Sequence, residues 1–234
     1  MLRASVILAT VLLGSAETAS ADETPPLFGD ASAATTQDAP DPQRGRAIAA
    51  GGAEGGGVGM KCMACHGLDG KGAATGAIPR LAGLPRGYLR EQLDAFMNGE
   101  RSNAIMAPIA LRLNEDERDA VASYYASLDT DAASTGSFDP ALVQRGGALA
   151  ATGERSGATP VTACTSCHMD DGSGASAGVP QLAGQHASYI EAQLIDWQNG
   201  LRRSDALGVM KDIAMELSPE DIEAVAAYYA SLRP

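Results

Sequence analysis

The pentad Cys62-Met63-Ala64-Cys65-His66 returns about 100 residues later as Cys164-Thr165-Ser166-Cys167-His168. The sequence around it returns as well. Gln43-Arg44-Gly45 recurs as Gln144-Arg145-Gly146, and Ile78-Pro79-Arg80-Leu81-Ala82-Gly83 as Val179-Pro180-Gln181-Leu182-Ala183-Gly184. Tyr88 and Phe96 match Tyr189 and Trp197, Arg101-Ser102 matches Arg203-Ser204, and Met106 matches Met210. Tyr124-Tyr125-Ala126-Ser127-Leu128 matches Tyr228-Tyr229-Ala230-Ser231-Leu232. The offset is 101 to 102 up to Arg101 and 104 afterwards, which puts a two-residue insertion between Arg203 and Met210. A repeat this long is no solenoid unit. It describes two tandem domains of one fold, residues 42–130 and 139–234, joined by a Ser/Thr/Ala/Gly linker over 131–138.

Each repeat reads as all-α. Asn114 with Glu117, and Ser218 with Pro219 and Asp221, are N-terminal capping signatures. Val121, Tyr124, Tyr125 and Leu128, and their counterparts Val225, Tyr228, Tyr229 and Leu232, then fall at helical spacing. Middle helices are expected over about Tyr88 to Asn98 and Tyr189 to Asn199, each ending near a glycine. First helices are expected over about Pro42 to Ala50 and Pro140 to Ala151. The stretches between are rich in Gly and Pro and show no alternating strand pattern. Long loops in a small domain need something to wrap.

Two cysteines three apart followed at once by histidine form the attachment signature for haem c. Each thiol adds across one vinyl group, the two-residue gap lets both sulfurs reach one porphyrin edge, and the histidine points its imidazole at the iron. Two other readings are weaker. A redox C-x-x-C needs a thioredoxin-like βαβ setting, which is missing here. A four-thiolate zinc site would have to join pairs about 100 residues apart in different repeats. Neither explains a histidine directly after both pairs. The expectation is two covalently bound haem c groups, held through Cys62, Cys65 and His66 and through Cys164, Cys167 and His168. Aromatic residues are only 4% of the chain, consistent with an interior partly filled by something other than protein.

Methionine suits the sixth position on the iron of an electron carrier, because a thioether favours the ferrous state. Met106 and Met210 are the methionines that match each other in the repeat, 40 and 42 residues after His66 and His168. With His66, Met106, His168 and Met210 on the two irons, no position stays open for a substrate, so an enzyme is not expected. Pro79 and Pro180 follow the histidines by 13 and 12 residues. A prolyl carbonyl there can accept the imidazole Nδ1 proton and orient the ring. Arg101 and Arg203 are candidates either for pairing with haem carboxylates or for a solvated surface role. His186 aligns with Pro85; it is the one other histidine that could make a bis-His haem, but a surface role is expected for it.

The N-terminus reads as a signal peptide: Arg3, an apolar run from Val6 to Leu13, and Ala19-Ser20-Ala21 as a cleavage site after Ala21. Residues 22–41 then form a flexible acidic leader with five acids and no bases. An exported protein with no later membrane-length stretch is expected to be soluble and, in a bacterium, periplasmic, with any membrane association made through partners. The net charge of -12 argues against nucleic-acid binding. The charge is uneven: residues 42–130 carry ten bases and ten acids, residues 131–234 six bases and 13 acids.

Two C-x-x-C-H repeats, each followed by P-[RQ]-L-A-G, tyrosine-rich helices and a single Met before I-A, resemble dihaem cytochrome c4 over about residues 42–234. The resemblance implies two tandem cytochrome c domains related by a pseudo-twofold, each with His/Met ligation. It also implies periplasmic electron transfer, typically from the quinol–cytochrome c oxidoreductase to a haem-copper terminal oxidase. The acidic leader departs from the family, whose mature chains start close to the first helix. Two further functions stay open: a dihaem subunit serving a flavoprotein sulfur dehydrogenase or an alcohol dehydrogenase, and a haem enzyme such as a peroxidase or a thiosulfate-oxidising cytochrome.

Overall fold

In the computed structural model, residues 41–52, 61–130, 136–153, 162–174, 178–205 and 207–234 are described. The signal peptide, nearly all of the leader and most of the linker lie outside them. The first half builds α1 (Pro42–Ala49), α2 (Cys62–His66), α3 (Arg86–Asn98), α4 (Met106–Ala110) and α5 (Glu115–Ala126). The second repeats the order as α6 (Pro140–Thr152), α7 (Thr165–His168), α8 (Ala187–Gln198), α9 (Val209–Glu216) and α10 (Pro219–Ser231). The fold is all-α; between described residues the extended pairings are two isolated bridges, Ala73 with Ile78 and Arg101 with Arg202. No described helix is long and apolar enough to cross a membrane.

Local chemistry sets the helix starts. Asp41 and Asp139 accept from the amides of Gln43 and Ala141, each at 2.9 Å, with proline at the first helical position. Asn114 with Glu117, and Ser218 with Asp221, close reciprocal capping boxes at the heads of α5 and α10. The middle helices start two residues earlier than periodicity implies, at Arg86 and Ala187, because Arg86-Gly87 and Ala187-Ser188 carry no bulky apolar side chain yet continue the helix.

In each half the first and last helices cross closely, α1 on α5 and α6 on α10. The repeated Gln-Arg-Gly explains how. A Cβ on Gly45 would lie 2.0 Å from the Ala120 carbonyl oxygen, and one on Gly146 1.9 Å from that of Ala224. Only glycine lets the backbones approach so far. The first core gathers Ile48, Leu84, Leu89, Val121 and Tyr125; the second gathers Leu149, Ile190, Leu194, Val225 and Tyr229. Half-buried Met210 packs on the second.

The two halves form one compact unit, held by a polar seam. Arg101 and Arg202 pair as an antiparallel bridge, with Ser102 N–H donating to Leu201 O and Arg203 N–H to Glu100 O, both at 2.6 Å. The Arg101 guanidinium donates to Gln92 Oε1 (3.0 Å), to the Tyr189 hydroxyl (2.8 Å) and to Gln193 Oε1. The Arg202 guanidinium donates to Gln193 Oε1 (3.1 Å), to the Tyr88 hydroxyl (3.2 Å) and to Gln92 Oε1 (3.0 Å). Arg101 lies over the Phe96 ring and Arg202 over the Trp197 ring, 4.5 and 4.1 Å from the centroids.

Two expectations change here, the register of the repeat and the place of His186, and the open choice for Arg101 is narrowed. The counterpart of Arg101 is Arg202 rather than Arg203, so the 101-residue offset runs to Arg202 and three extra residues separate it from Met210. Arg101 is buried in the seam instead of solvated, while exposed Arg203 donates to the carbonyls of Gly200 (3.0 Å) and Gly99 (2.9 Å). His186 is not a surface residue: it is only 5% exposed, and its Nε2 donates to Lys71 O of the first half at 2.8 Å.

Candidate functional site

Each Cys-x-x-Cys-His segment folds as one short helical turn, which gathers its side chains at one place. His66 ends α2 and His168 ends α7, each 7% exposed. The four cysteines are unpaired; Cys62 and Cys164 are half-buried, Cys65 and Cys167 exposed. Burial pushes the Cys62 and Cys164 thiols up from their ordinary pKa, which keeps them protonated and neutral at pH 7. Among the described residues no three His, Cys, Asp or Glu side chains converge to hold a bare metal ion.

The two imidazoles are oriented identically. Nδ1 of His66 lies 3.0 Å from Pro79 O, and Nδ1 of His168 lies 3.0 Å from Pro180 O. A carbonyl only accepts, so Nδ1 carries the proton and the Nε2 lone pair is left to bind a metal. Burial holds both imidazoles below the ordinary histidine pKa, against the opposing pull of the prolyl carbonyls, so the neutral, ligand-competent form dominates. The Tyr125 ring meets His66 edge-on at 6.5 Å.

The loop that delivers the prolyl oxygen is clamped at two glycines that the sequence reading passed over. Gly72 N–H donates to His66 O (2.9 Å) and Gly174 N–H to His168 O (3.0 Å). Both have left-handed backbone, with φ of +65° and +79°. A Cβ on Gly72 would sit 2.4 Å from Pro79 O, and one on Gly174 2.4 Å from Val179 O. The useful signal is a Gly-x-Gly spacing behind each histidine: Gly70 and Gly72, Gly172 and Gly174.

The methionines stand on separate helices. Met106 opens α4 and Met210 lies in the first turn of α9, both half-buried. Side-chain oxygens hold both turns. Asn103 Oδ1 accepts from Met106 N–H at 2.9 Å, and Asp205 Oδ2 accepts from Met210 N–H at 2.5 Å. The apolar side chains beside them are exposed: Ile105 next to Met106, Leu207 and Val209 next to Met210.

Several buried polar atoms find no protein partner: the Tyr125 hydroxyl, Trp197 Nε1 and Arg80 Nε among them. Their placement in both halves, together with free thiols and two aligned imidazole lone pairs, fits a pair of porphyrins with polar edges.

Comparison with known proteins agrees. The cytochrome c family model matches residues 42–129 and 153–233. The chain is 42% identical over 176 residues to the thiosulfate dehydrogenase electron acceptor of Stutzerimonas stutzeri, covering 74% of this chain and 79% of that protein. It is 39% identical over 173 residues to cytochrome c4 of Pseudomonas aeruginosa, covering 73% and 83%. Reduced recombinant cytochrome c4 from Pseudomonas stutzeri superposes with a TM-score of 0.70 at 33% identity, over 82% of this chain and 98% of that one. Thiosulfate dehydrogenase (TsdBA) from Marichromatium purpuratum superposes with a TM-score of 0.73 at 37% identity, over 82% of this chain; the match spans only 40% of that longer one.

Proposed function

Given that the chain belongs to the cytochrome c family, with two such domains in tandem and two covalently bound haem c groups, we propose that it is a periplasmic carrier of single electrons and not an enzyme. The observation that carries this reading is the pair of buried histidines, each with Nδ1 on a prolyl carbonyl at 3.0 Å. When bound, each haem supplies an iron that exchanges one electron between ferric and ferrous states. Cys62 and Cys65, and Cys164 and Cys167, hold the porphyrins. His66 and Met106 would ligate one iron, and His168 and Met210 the other. The hydrogen bonds to Pro79 and Pro180 keep each imidazole in one orientation as charge changes, and the two methionines leave no open site for a substrate. The polar seam fixes one domain against the other.

Partner choice follows from charge. The second half and the leader are acidic, whereas the first half is balanced. The acidic half docks a basic surface, and the neutral half meets a different protein. One assignment has the carrier passing electrons from the quinol–cytochrome c oxidoreductase to a haem-copper terminal oxidase. A second is favoured by the name of a relative: acceptor of electrons from a thiosulfate dehydrogenase. The test is stopped-flow reduction of the purified holoprotein by each candidate donor over a range of salt. The donor whose rate is fast and falls with salt is the partner. Slow, salt-insensitive reduction by every donor would remove the docking argument, and a binding site for small ligands on either iron would remove the carrier reading.

A further inference from the structure

The loop that brings Pro79 O to His66 covers residues 70–80, and one short segment of the opposite half grips both of its ends. At the far end, Arg80 N–H donates to Gln185 Oε1 (2.8 Å) and Gln185 Nε2 donates back to Arg80 O (3.0 Å). Arg80 directly follows Pro79, whose carbonyl lies 3.0 Å from His66 Nδ1. At the near end, His186 Nε2 donates to Lys71 O (2.8 Å) and Ser188 Oγ to Ala74 O (2.6 Å). Lys71 directly precedes Gly72, whose N–H donates to the His66 carbonyl at 2.9 Å. Gln185 and His186 are buried, where a hydrogen bond is stronger than at the surface. The loop's own bonds are local. Ala73 and Ile78 exchange main-chain bonds at 3.0 Å each, and Leu81 and Ala82 N–H close the base on Gly70 O at 2.7 and 3.1 Å. Those bonds set the loop's shape; the bonds from Gln185, His186 and Ser188 tie it to the other domain.

The grip runs one way. The first-half residues equivalent to Gln185, His186 and Ser188 are Leu84, Pro85 and Gly87. None of these has a side chain that can donate or accept a hydrogen bond. The second loop repeats the same base and clamp: Leu182 and Ala183 N–H reach Gly172 O at 2.8 and 3.1 Å, and Gly174 N–H reaches His168 O at 3.0 Å. The corresponding segment of the first half has no side chain with which to hold it. The two histidine sites are thus built alike inside and braced differently from outside.

We infer that Gln185, His186 and Ser188 are positioning residues for the first haem: the second domain holds the loop that keeps His66 aligned. The inference rests on the two-haem reading. A firmly placed Pro79 carbonyl draws on the Nδ1 proton and makes the imidazole a stronger donor to iron, which favours the ferric state. Loosening the loop moves that couple toward ferrous. A substitution in the second domain is therefore felt at the first iron, not at the one its own domain carries.

The test uses holoprotein: wild type, Gln185→Leu, His186→Phe, His186→Gln and Ser188→Ala, each with haem counted by absorbance. Gln185→Leu installs the residue that the first half has at this place, and His186→Phe keeps a ring without the donor. Amide hydrogen exchange at Gly72 and Gly174 is followed by NMR of the reduced protein, and both midpoint potentials are measured. Gln185→Leu and His186→Phe should each speed exchange at Gly72 by about tenfold. Each should also shift one couple toward ferrous by about threefold, which is about 28 mV for one electron. Exchange at Gly174 and the other couple should stay in place. Ser188→Ala should speed exchange at Gly72 by about threefold. His186→Gln, which keeps an N–H donor, should stay closer to wild type than His186→Phe in both readouts. Unchanged exchange at Gly72, or acceleration at Gly174 instead, overturns the inference. So does faster exchange at Gly72 with both potentials unmoved, because the grip would then not reach the iron. If one of the two buried variants fails to accumulate, the other decides, and Ser188→Ala decides if both do. A wild-type count other than two haems would sink the haem reading itself, while the comparison of Gly72 with Gly174 would still report on the grip.

Discussion

Arg101 and Arg202 meet main chain to main chain, and each guanidinium ends on the tyrosine of the opposite half: Arg101 on Tyr189, Arg202 on Tyr88. The seam is thus made of charge-assisted hydrogen bonds in a buried setting, where each is worth about 1.5–3 kcal/mol. A double-mutant cycle with Arg101→Met and Tyr189→Phe, read by chemical denaturation of the holoprotein, should give a coupling of about 1.5 kcal/mol. Strict additivity of the two substitutions would mean that the contact contributes nothing.

The methionines are separable by mutation. Met106→Ala should abolish the sulfur-to-iron charge-transfer band of one haem, about half the signal, and lower one midpoint potential while leaving the other in place. Met210→Ala should do the same to the complementary couple. Exposed Met215 serves as the control, and Met215→Leu should leave both couples untouched. If neither alanine variant changes the band, the ligands lie elsewhere.

Gly72 governs the loop that carries Pro79. Alanine there meets left-handed strain and a carbonyl oxygen 2.4 Å from its Cβ. Gly72→Ala should cost about 2–3 kcal/mol of holoprotein stability and shift the potential of one couple by disturbing the His66 hydrogen bond. Thermal unfolding and a redox titration check both parts. A destabilised variant with unchanged potentials would separate the loop from the imidazole.

Acid should weaken the second domain through Asp221. Burial raises its pKa, but the Ser218 hydrogen bonds and Arg145, 2.6 Å away, outweigh it and leave the carboxyl below the usual value. A depressed folded pKa means that the stabilisation is complete above the unfolded value of about 3.9 and disappears as pH falls through the folded one. Wild type should exceed Asp221→Asn by about 1 kcal/mol at neutral pH, with the gap closing steadily below about pH 4. Denaturation midpoints across pH measure this. A gap independent of pH would show that the ionised carboxylate is not what stabilises the cap.

Features that act along the chain were legible in it. Capping residues, helical spacing and the Cys-x-x-Cys-His pentad operate over a few residues, so α5, α10 and the placement of both histidines could be anticipated. Features that act across the chain were not. Pairing Arg101-Ser102 with Arg203-Ser204 is natural by identity, yet the hydrogen-bond register at the seam selects Arg202, since the insertion falls after it. Gln92 and Gln193 look like ordinary helix-surface residues until the two halves come together. His186 aligns with a proline and gives no hint that its ring crosses to Lys71. Gly72 matters through the oxygens of Pro79 and Ile78, seven and six residues ahead, and Gly174 through that of Val179, five ahead, which no local rule connects.

Exchanging the halves carries Arg101–Tyr189 onto Arg202–Tyr88 and Gln92 onto Gln193, so the contact set maps onto itself. Self-mapping contacts define an isologous face, the kind through which identical subunits dimerise. A lone half bearing Tyr, Gln and Arg at these places already presents the complement of its own surface. Tethering two of them in a single polypeptide turns that association into an intramolecular event, so that dilution no longer separates the members of the pair.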